Sequence, residues 1–289
     1  MKLSSIVASA VASVLAIGVP GAATMPAAAT STAAATSTAP STACGPRIYK
    51  ADGTPWVCTF DDEFSGTTLN PKKWVVQSNV PHGQVFGSQS CTTNSPQNVS
   101  VSHGALHLSV RKLSRLVFCS SLLPSQYSAG SVMTWHLWSQ AYGRFSARIL
   151  VPATSTPGLH EAFWLWHDDR YTSSTTGEMD ISETYSIYPH LAIPTLHSTR
   201  NVAVQGVTTQ VTCRAQRGAW NTYTMDWTPR RITITINGHT CLVNSSADPA
   251  FSLRDILLLT AVTGQDANAA SGQTPLPATT LVDYVRVWK

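Results

Sequence analysis

Residues 176–185 read Thr-Gly-Glu-Met-Asp-Ile-Ser-Glu-Thr-Tyr and place three carboxylates within six positions of a chain that has only 15 acidic residues. Side chains of a β-strand alternate between its two faces, so Glu178 and Asp180 share one face and the apolar residues beside them take the other. A regular strand would turn Glu183 away from the first two acids. One bulge in the Ile181–Ser182 region inserts an extra residue and returns Glu183 to their face. The pattern therefore predicts a bulged strand with three acids on one concave surface.

Carboxylates gathered in this way have a chemical use. Mutual repulsion raises at least one pKa, which supplies a protonated acid beside an ionised carboxylate near neutral pH. Such a pair cleaves a glycosidic bond, because one carboxylate attacks the sugar carbon while the acid protonates the leaving oxygen. With the bulge absorbed, the two glutamates lie about 13 Å apart at Cα. Side chains leaning together on a curved sheet would have to close this to the roughly 5–5.5 Å of a retaining pair. From this segment alone, an acidic solvent face on an edge strand is an equally good interpretation.

The rest of the chain indicates one exported domain. It has 289 residues, 12% of them charged, and a formal net charge of +4. The basic residues are scattered, so no basic stripe indicates nucleic-acid binding. Lys2, an uncharged run over residues 6–19 and the small residues after it have the pattern of a signal peptide, and the run is too short to span a membrane.

We therefore predict a signal peptide at residues 1–29, a flexible linker rich in Ala, Thr, Ser and Pro at 30–43, and a catalytic domain at 44–289. The expected mature protein is a secreted monomer without a membrane span. Six cysteines in an exported chain predict three disulfides. Pairing neighbours along the sequence gives one of several possible connectivities: Cys44–Cys58, Cys91–Cys119 and Cys213–Cys241.

Strand signals dominate the sequence. Apolar residues alternate with polar ones along 105–110, 144–151 and 282–288, and the alternating segment 232–236 runs into Asn237-Gly238, a strong hairpin signal. The apolar run Ile256 to Val262 predicts a strand buried on both faces. Glycine and proline separate these segments. We predict an all-β fold, an antiparallel two-sheet β-sandwich of the jelly-roll kind with a concave substrate cleft.

Aromatic residues accompany the acidic strand. Rings of this kind stack on the flat faces of sugars, although for any single one an ordinary core position is the alternative. Trp164 and Trp166 share one strand face, so both should lie in the core or both in the cleft. Eight tryptophans and tyrosines fall within 54 positions: Trp135, Trp138, Tyr142, Trp164, Trp166, Tyr171, Tyr185 and Tyr188.

Several further segments occur in a fixed order. They include Phe-Asp-Asp-Glu-Phe-Ser-Gly at 60–66, Tyr-Ser-Ala-Gly at 127–130, Tyr-Gly-Arg-Phe at 142–145, Ala-Phe-Trp-Leu at 162–165 and Asp-Tyr-Val-Arg-Val at 283–287. Together with the acidic strand, this ordered set resembles glycoside hydrolase family sixteen, the laminarinase, lichenase and agarase group, over nearly all of residues 58–289. The resemblance favours a catalytic strand over an acidic solvent face.

The resemblance implies roles for individual residues. Glu178 would be the nucleophile, Glu183 the general acid/base, and Asp180 the group that holds the proton balance between them. His197 resembles a cleft histidine of the family, for which a satisfied core histidine is the alternative. With His197, the candidate substrate-binding residues are Trp135, Trp164 and Tyr185.

A metal site is also implied. Glu63, the Gly104 carbonyl and Asp283 resemble the family's structural calcium position, since hard oxygen ligands suit that ion. A capped turn and a surface charge are the alternative. No cofactor is expected for catalysis.

Some positions depart from the family's pattern. His160 and Glu161 stand where the family often has Trp-Pro, Ser131 where laminarinase-like members commonly have Arg, and Ser146 where they have Glu. The missing Arg and Glu would face sugar hydroxyls or support the cleft, so their loss affects the expected substrate more than the chemistry.

Competing motifs are incomplete. His160-Glu161 begins like a zinc-protease motif but lacks the second histidine, because Trp164 stands there. We predict a secreted, retaining endo-β-glycosidase acting on polysaccharide, first a β-1,3-glucan of laminarin type and next a β-galactan. Transglycosylation would use the same residues. A carbohydrate-binding lectin on the same fold has no need of the three carboxylates.

Overall fold

The computed structural model describes residues 43–78, 89–119, 124–171, 176–198 and 203–289. The predicted signal peptide at 1–29 and all but the last residue of the predicted linker at 30–43 lie outside this part of the chain, so both stay predictions. Within the described ranges no helix is long and apolar enough to cross a bilayer.

The described residues form fifteen strands and three short 3-10 helices, with no α-helix among them. This confirms the predicted all-β class. The 3-10 helices are Asp169–Tyr171, Pro249–Phe251 and Asp266–Asn268. The strands are β1 (Cys58–Asp62), β2 (Val75–Val76), β3 (Cys91–Thr92), β4 (Val99–Ser102), β5 (Ala105–Phe118), β6 (Pro124–Met133), β7 (Gly143–Leu150), β8 (Leu159–His167), β9 (Glu178–Tyr185), β10 (Ile193–His197), β11 (Trp220–Thr228), β12 (Arg231–Ile236), β13 (His239–Asn244), β14 (Asp255–Thr263) and β15 (Ala278–Trp288).

The strands form two layers that are continuous with each other. Hydrogen-bonded neighbours follow the order β10-β9-β8-β14-β6-β5-β15-β7-β11-β12-β13, and every neighbouring pair in it is antiparallel. The long strand β5 makes the connection: residues 106–110 pair with β15, and residues 111–118 pair with β6. The predicted jelly-roll sandwich is present, and β5 joins its two layers.

The core lies between these layers. Met179 of β9 and Phe163 of β8 are fully buried in one apolar cluster with Ala147 of β7 and Met225 of β11. Since side chains alternate along a strand, the intervening residues of β8 and β9 project to the opposite side of their layer. That opposite side carries the site described below.

The predicted strands occur where expected, although β5 continues to Phe118 and β15 already begins at Ala278. At the β12–β13 hairpin, Asn237 and Gly238 have φ of 51° and 80°, as a two-residue turn of the primed type requires. All nine residues of β14 are buried. One face of this strand contacts the core, whereas the other, which includes Ile256 and Leu258, forms the floor of a cleft.

The disulfides follow the neighbour pairing predicted from the sequence. Their Cα–Cα distances are 5.7, 5.4 and 5.6 Å, within the range that a disulfide spans. The bridges are Cys44–Cys58, Cys91–Cys119 and Cys213–Cys241, and they leave no free cysteine among the described residues.

Candidate active site

The strand β9 contains a bulge at the predicted position. Across the β8–β9 ladder Phe163 faces Ser182, whereas the next residue, Trp164, faces Asp180. Ile181 therefore has no counterpart on β8. The β9–β10 ladder contains the same irregularity. Ile181 and Ser182 are both buried, so two consecutive side chains leave the cleft face before the alternation resumes.

This change of phase brings the three acids together. Glu178, Asp180 and Glu183 all line one open cleft of about 900 Å³, while Met179 and Ile181 are fully buried in the core below. The predicted concave acidic surface is therefore present.

All the candidate substrate-binding residues border the same cleft. Trp135, Trp164, Tyr185 and His197 belong to its lining. Trp166 does so as well and is 41% exposed, so both tryptophans of β8 face the cleft. The cleft thus offers several aromatic surfaces for sugar rings beside the acids.

Glu183 is held by neighbours from three strands. The Tyr185 hydroxyl on β9 donates to Glu183 Oε1 at 2.5 Å, and the Thr195 hydroxyl on β10 donates to Oε2 at 3.2 Å. His160 Nε2 on β8 lies 3.3 Å from Oε1. The His160 ring also stacks on the Tyr185 ring, with centroids 4.4 Å apart and planes 12° from parallel. These contacts fix the carboxyl group of Glu183 from both sides.

Neither His160 nor Thr195 was expected at the site from the sequence alone. The alternation of His160, Ala162 and Trp164 along β8 could have placed the histidine on the cleft face. Its contact with Glu183 depends on the β8–β9 register, in which His160 faces Tyr185, and the bulge makes that register difficult to predict.

His197 lies in the cleft and not in the core. Its side chain is 45% exposed, and Nε2 is 3.2 Å from Asp180 Oδ2. Asp180 itself is buried. A partly exposed imidazole therefore connects the middle carboxyl group to the open cleft.

The three carboxyl groups differ in their affinity for protons. Burial raises the pKa of Asp180 well above its usual value, and the two flanking glutamates raise it further. Burial also raises the pKa of Glu178, opposed by His197 and assisted by Glu183. Burial acts in the same direction on Glu183, but the His160 imidazole and the Tyr185 hydroxyl outweigh it, so the pKa of Glu183 is lowered. In the free protein, Asp180 is thus the preferred site for a shared proton.

A buried ion pair supports β8 and β9 from behind. Arg217 donates through both terminal nitrogens to the Glu161 carboxylate at 2.7 Å, and the Thr184 hydroxyl donates to the same carboxylate at 2.7 Å. All three residues are buried. Since Thr184 directly follows Glu183, the ion pair anchors the backbone that carries the second glutamate.

The residues predicted to bind calcium have other partners. Arg286 donates to both oxygens of Glu63 at 2.6 and 2.7 Å, and Arg148 donates to Asp283 at 2.8 Å. Among the described residues, no group of three or more His, Cys, Asp or Glu side chains is arranged to hold a metal ion. Gly104 has φ of 72° in the turn between β4 and β5. Calcium bound here would therefore have to displace the guanidinium groups of both arginines from the two carboxylates. The calcium site stays a prediction.

Comparison with known proteins identifies similar sequences and folds. The sequence profile described as glycosyl hydrolases family 16 matches residues 86–270. Glucan endo-1,3-beta-glucosidase A1 of Niallia circulans is 26% identical in an alignment 258 residues long, which covers 80% of this chain and 37% of that protein. The chain thus spans little more than a third of the length of this curated relative.

Solved structures have the same fold. The endo-beta-1,3-glucanase of Pyrococcus furiosus superposes with a TM-score of 0.72 at 22% identity, covering 84% of this chain and 97% of that one. A mutant of a non-specific endo-beta-1,3(4)-glucanase, co-crystallised with 1,3-beta-D-cellobiosyl-cellobiose, has a TM-score of 0.68 at 26% identity, with the same coverage of 84% and 97%.

Proposed function

We propose that this chain, which belongs to glycosyl hydrolases family 16 and is a glycoside hydrolase, is a secreted, retaining endo-β-glycosidase that cleaves β-1,3-linked glucan. The observation that carries the proposal is the bulge in β9. It places Glu178, Asp180 and Glu183 on one face of a cleft that is also lined by tryptophans.

In the first step, a Glu178 oxygen attacks the anomeric carbon of the bound sugar. The bond from that carbon to the glycosidic oxygen breaks, and Glu183 gives its proton to this oxygen, so the leaving chain departs as an alcohol. The product is a sugar covalently linked to Glu178. For this geometry the two carboxyl groups have to approach to about 5–5.5 Å.

In the second step, the ionised Glu183 removes a proton from water. The resulting hydroxide attacks the anomeric carbon, and Glu178 leaves as a carboxylate. Two inversions give net retention. A sugar hydroxyl in place of water would give transglycosylation by the same residues, so analysis of the products distinguishes the two outcomes.

Proton supply to Glu183 depends on the bound substrate. The free protein holds Glu183 ionised through His160 and Tyr185, and it favours a proton on Asp180. A sugar that fills the cleft removes water from Glu183 and disfavours its charge. Asp180 lies between the glutamates along the strand, so it can become the ionised group when its proton passes to Glu183. We infer that substrate binding moves the shared proton toward Glu183.

The substrate proposal is supported by the relatives. The curated relative is named as an endo-1,3-beta-glucosidase, and both solved structures are described as endo-glucanases acting on β-1,3 or β-1,3(4) linkages. The open cleft suits an internal stretch of a long chain, since it is not an enclosed pocket for a chain end. β-Galactan is the next candidate because Ser131 and Ser146 depart from the laminarinase-like pattern.

The direct experiment measures reducing-sugar release from laminarin, mixed-linkage β-glucan and agarose. We expect release from laminarin first, and loss of turnover in Glu178→Gln with retained binding of polysaccharide. Asp52→Asn, an exposed aspartate outside the cleft, is the matched control and should behave as wild type. If Glu178→Gln keeps more than a few per cent of the rate, which corresponds to about 2 kcal/mol of barrier, the nucleophile assignment is wrong. Binding without release from any polysaccharide would favour a lectin.

A further inference from the structure

His160 and Tyr185 form a stacked pair directly against Glu183. The tyrosine hydroxyl donates to Glu183 Oε1 at 2.5 Å, and His160 Nε2 lies 3.3 Å from the same oxygen. Nε2 is buried and lacks the alignment of a full hydrogen bond to any described residue. Hydrogen bonds in a free active site are often loose and tighten in the substrate complex. One carboxyl oxygen is therefore enclosed by a phenol and an imidazole that also support each other.

We propose that His160 and Tyr185 act together as a positioning pair that fixes the orientation and the proton state of Glu183. The inference rests on the proposed function, because it takes Glu183 as the acid/base. His160 holds the Tyr185 ring by stacking, and Tyr185 holds Oε1. Both residues act through Glu183, and both border the cleft in which a sugar would lie.

The surroundings of Glu183 show why this pair has the leading influence. From β9 itself, Glu178 and Asp180 face the cleft, and from β10 come the Thr195 hydroxyl and His197. His197 is nearest to Asp180, at 3.2 Å. The residues of β14 in the cleft lining are uncharged. Burial raises the pKa of Glu183 and is overcome chiefly by His160 and Tyr185. Removing either partner should therefore let Glu183 keep its proton to higher pH.

The chain offers a readout that does not depend on activity. It contains four glutamates, Glu63, Glu161, Glu178 and Glu183, so glutamate labelled with ¹³C at the side-chain carboxyl gives few resonances, each assignable by a Glu→Gln variant. The titration midpoint of Glu183 would be measured in wild type, His160→Phe and Tyr185→Phe. Both variants keep an aromatic ring in place for stacking. Tyr188→Phe, an exposed tyrosine just beyond β9, is the matched control.

We expect the titration midpoint of Glu183 to rise by about one pH unit in His160→Phe, which is the typical effect of removing a neighbouring cation or hydrogen-bond donor from a carboxylate. The midpoint should also rise in Tyr185→Phe. In Tyr188→Phe it should match wild type. The kcat of Tyr185→Phe on laminarin should fall with little change in KM, because the acid is misplaced while the binding surface remains. If His160→Phe does not fold, Tyr185→Phe carries the test alone.

An unchanged Glu183 midpoint in folded Tyr185→Phe would overturn the inference. So would a rise in the control variant. These outcomes are independent of the proposed function, since titration needs no turnover. A protein that shows the expected midpoints but releases no sugar from any glucan would retain the positioning pair and lose the proposed substrate.

Discussion

Deletion of Ser182 tests the purpose of the bulge. The shortened strand would read Glu-Met-Asp-Ile-Glu-Thr-Tyr, in which strict alternation already puts all three acids on one face. Ile181 would take the counterpart position opposite Phe163 that Ser182 now occupies. Thr184 would still face Glu161, and Tyr185 would still face the cleft. Deletion of both Ile181 and Ser182 would instead turn the second glutamate toward the core.

The double deletion should cost more activity than the single deletion, and it should also cost stability. A misplacement of about 1 Å costs roughly 10²-fold in rate, which sets the loss expected for the single deletion. The double deletion removes the acid/base, worth about 10²–10⁴-fold by itself, and buries an unpaired carboxylate at several kcal/mol. Laminarin hydrolysis and thermal unfolding of both proteins give the comparison. A folded single-deletion protein as inactive as the double deletion would refute the view that the bulge only sets the phase of the strand.

Other consequences can be tested separately. Arg217→Met leaves the Glu161 carboxylate buried without its cation and should lower the free energy of unfolding by about 3–5 kcal/mol. That loss corresponds to a fall on the order of 10 °C in the midpoint of thermal unfolding. Arg231→Met, at an exposed position, is the control, and equal midpoints for the two variants would contradict the role of the ion pair. Glu183→Ala should regain part of its rate with azide, because a small anion can replace the activated water, and the glycosyl azide formed should retain the β configuration. If azide instead rescued only Glu178→Ala, with inversion at the anomeric carbon, the roles of the two glutamates would be exchanged. If calcium binds at Glu63, Gly104 and Asp283, the midpoint of thermal unfolding should be higher in calcium than in EDTA, and Glu63→Gln should remove the difference. Identical midpoints of the wild type in calcium and in EDTA would rule out that site.

The sequence was sufficient for the features that follow from alternation. The positions of Glu178, Asp180 and Glu183 required a bulge between the second and third acid, and the β8–β9 ladder contains it there. The Asn237-Gly238 turn and the neighbour-paired disulfides also depend on short separations along the chain. Such local patterns are visible without knowledge of the fold.

Features that depend on distant contacts were not predicted. The second half of β5 is largely exposed and lacks an alternating apolar pattern, so only its pairing with β6 reveals that it is a strand. Glu161 and Arg217 are 56 positions apart, and neither has a sequence signal for the other. His160 was visible as a departure from the family's pattern, yet its contact with Glu183 appears only once the register across the bulge is known.

The most direct test of the central claim is to trap the covalent intermediate. The protein would be treated with a 2-deoxy-2-fluoro laminari-oligosaccharide carrying a good leaving group, digested, and the labelled peptide sequenced by mass spectrometry. We expect one sugar per protein, attached through an ester to Glu178. A label on Glu183, or inactivation without any attached sugar, would contradict the proposed geometry of the cleft.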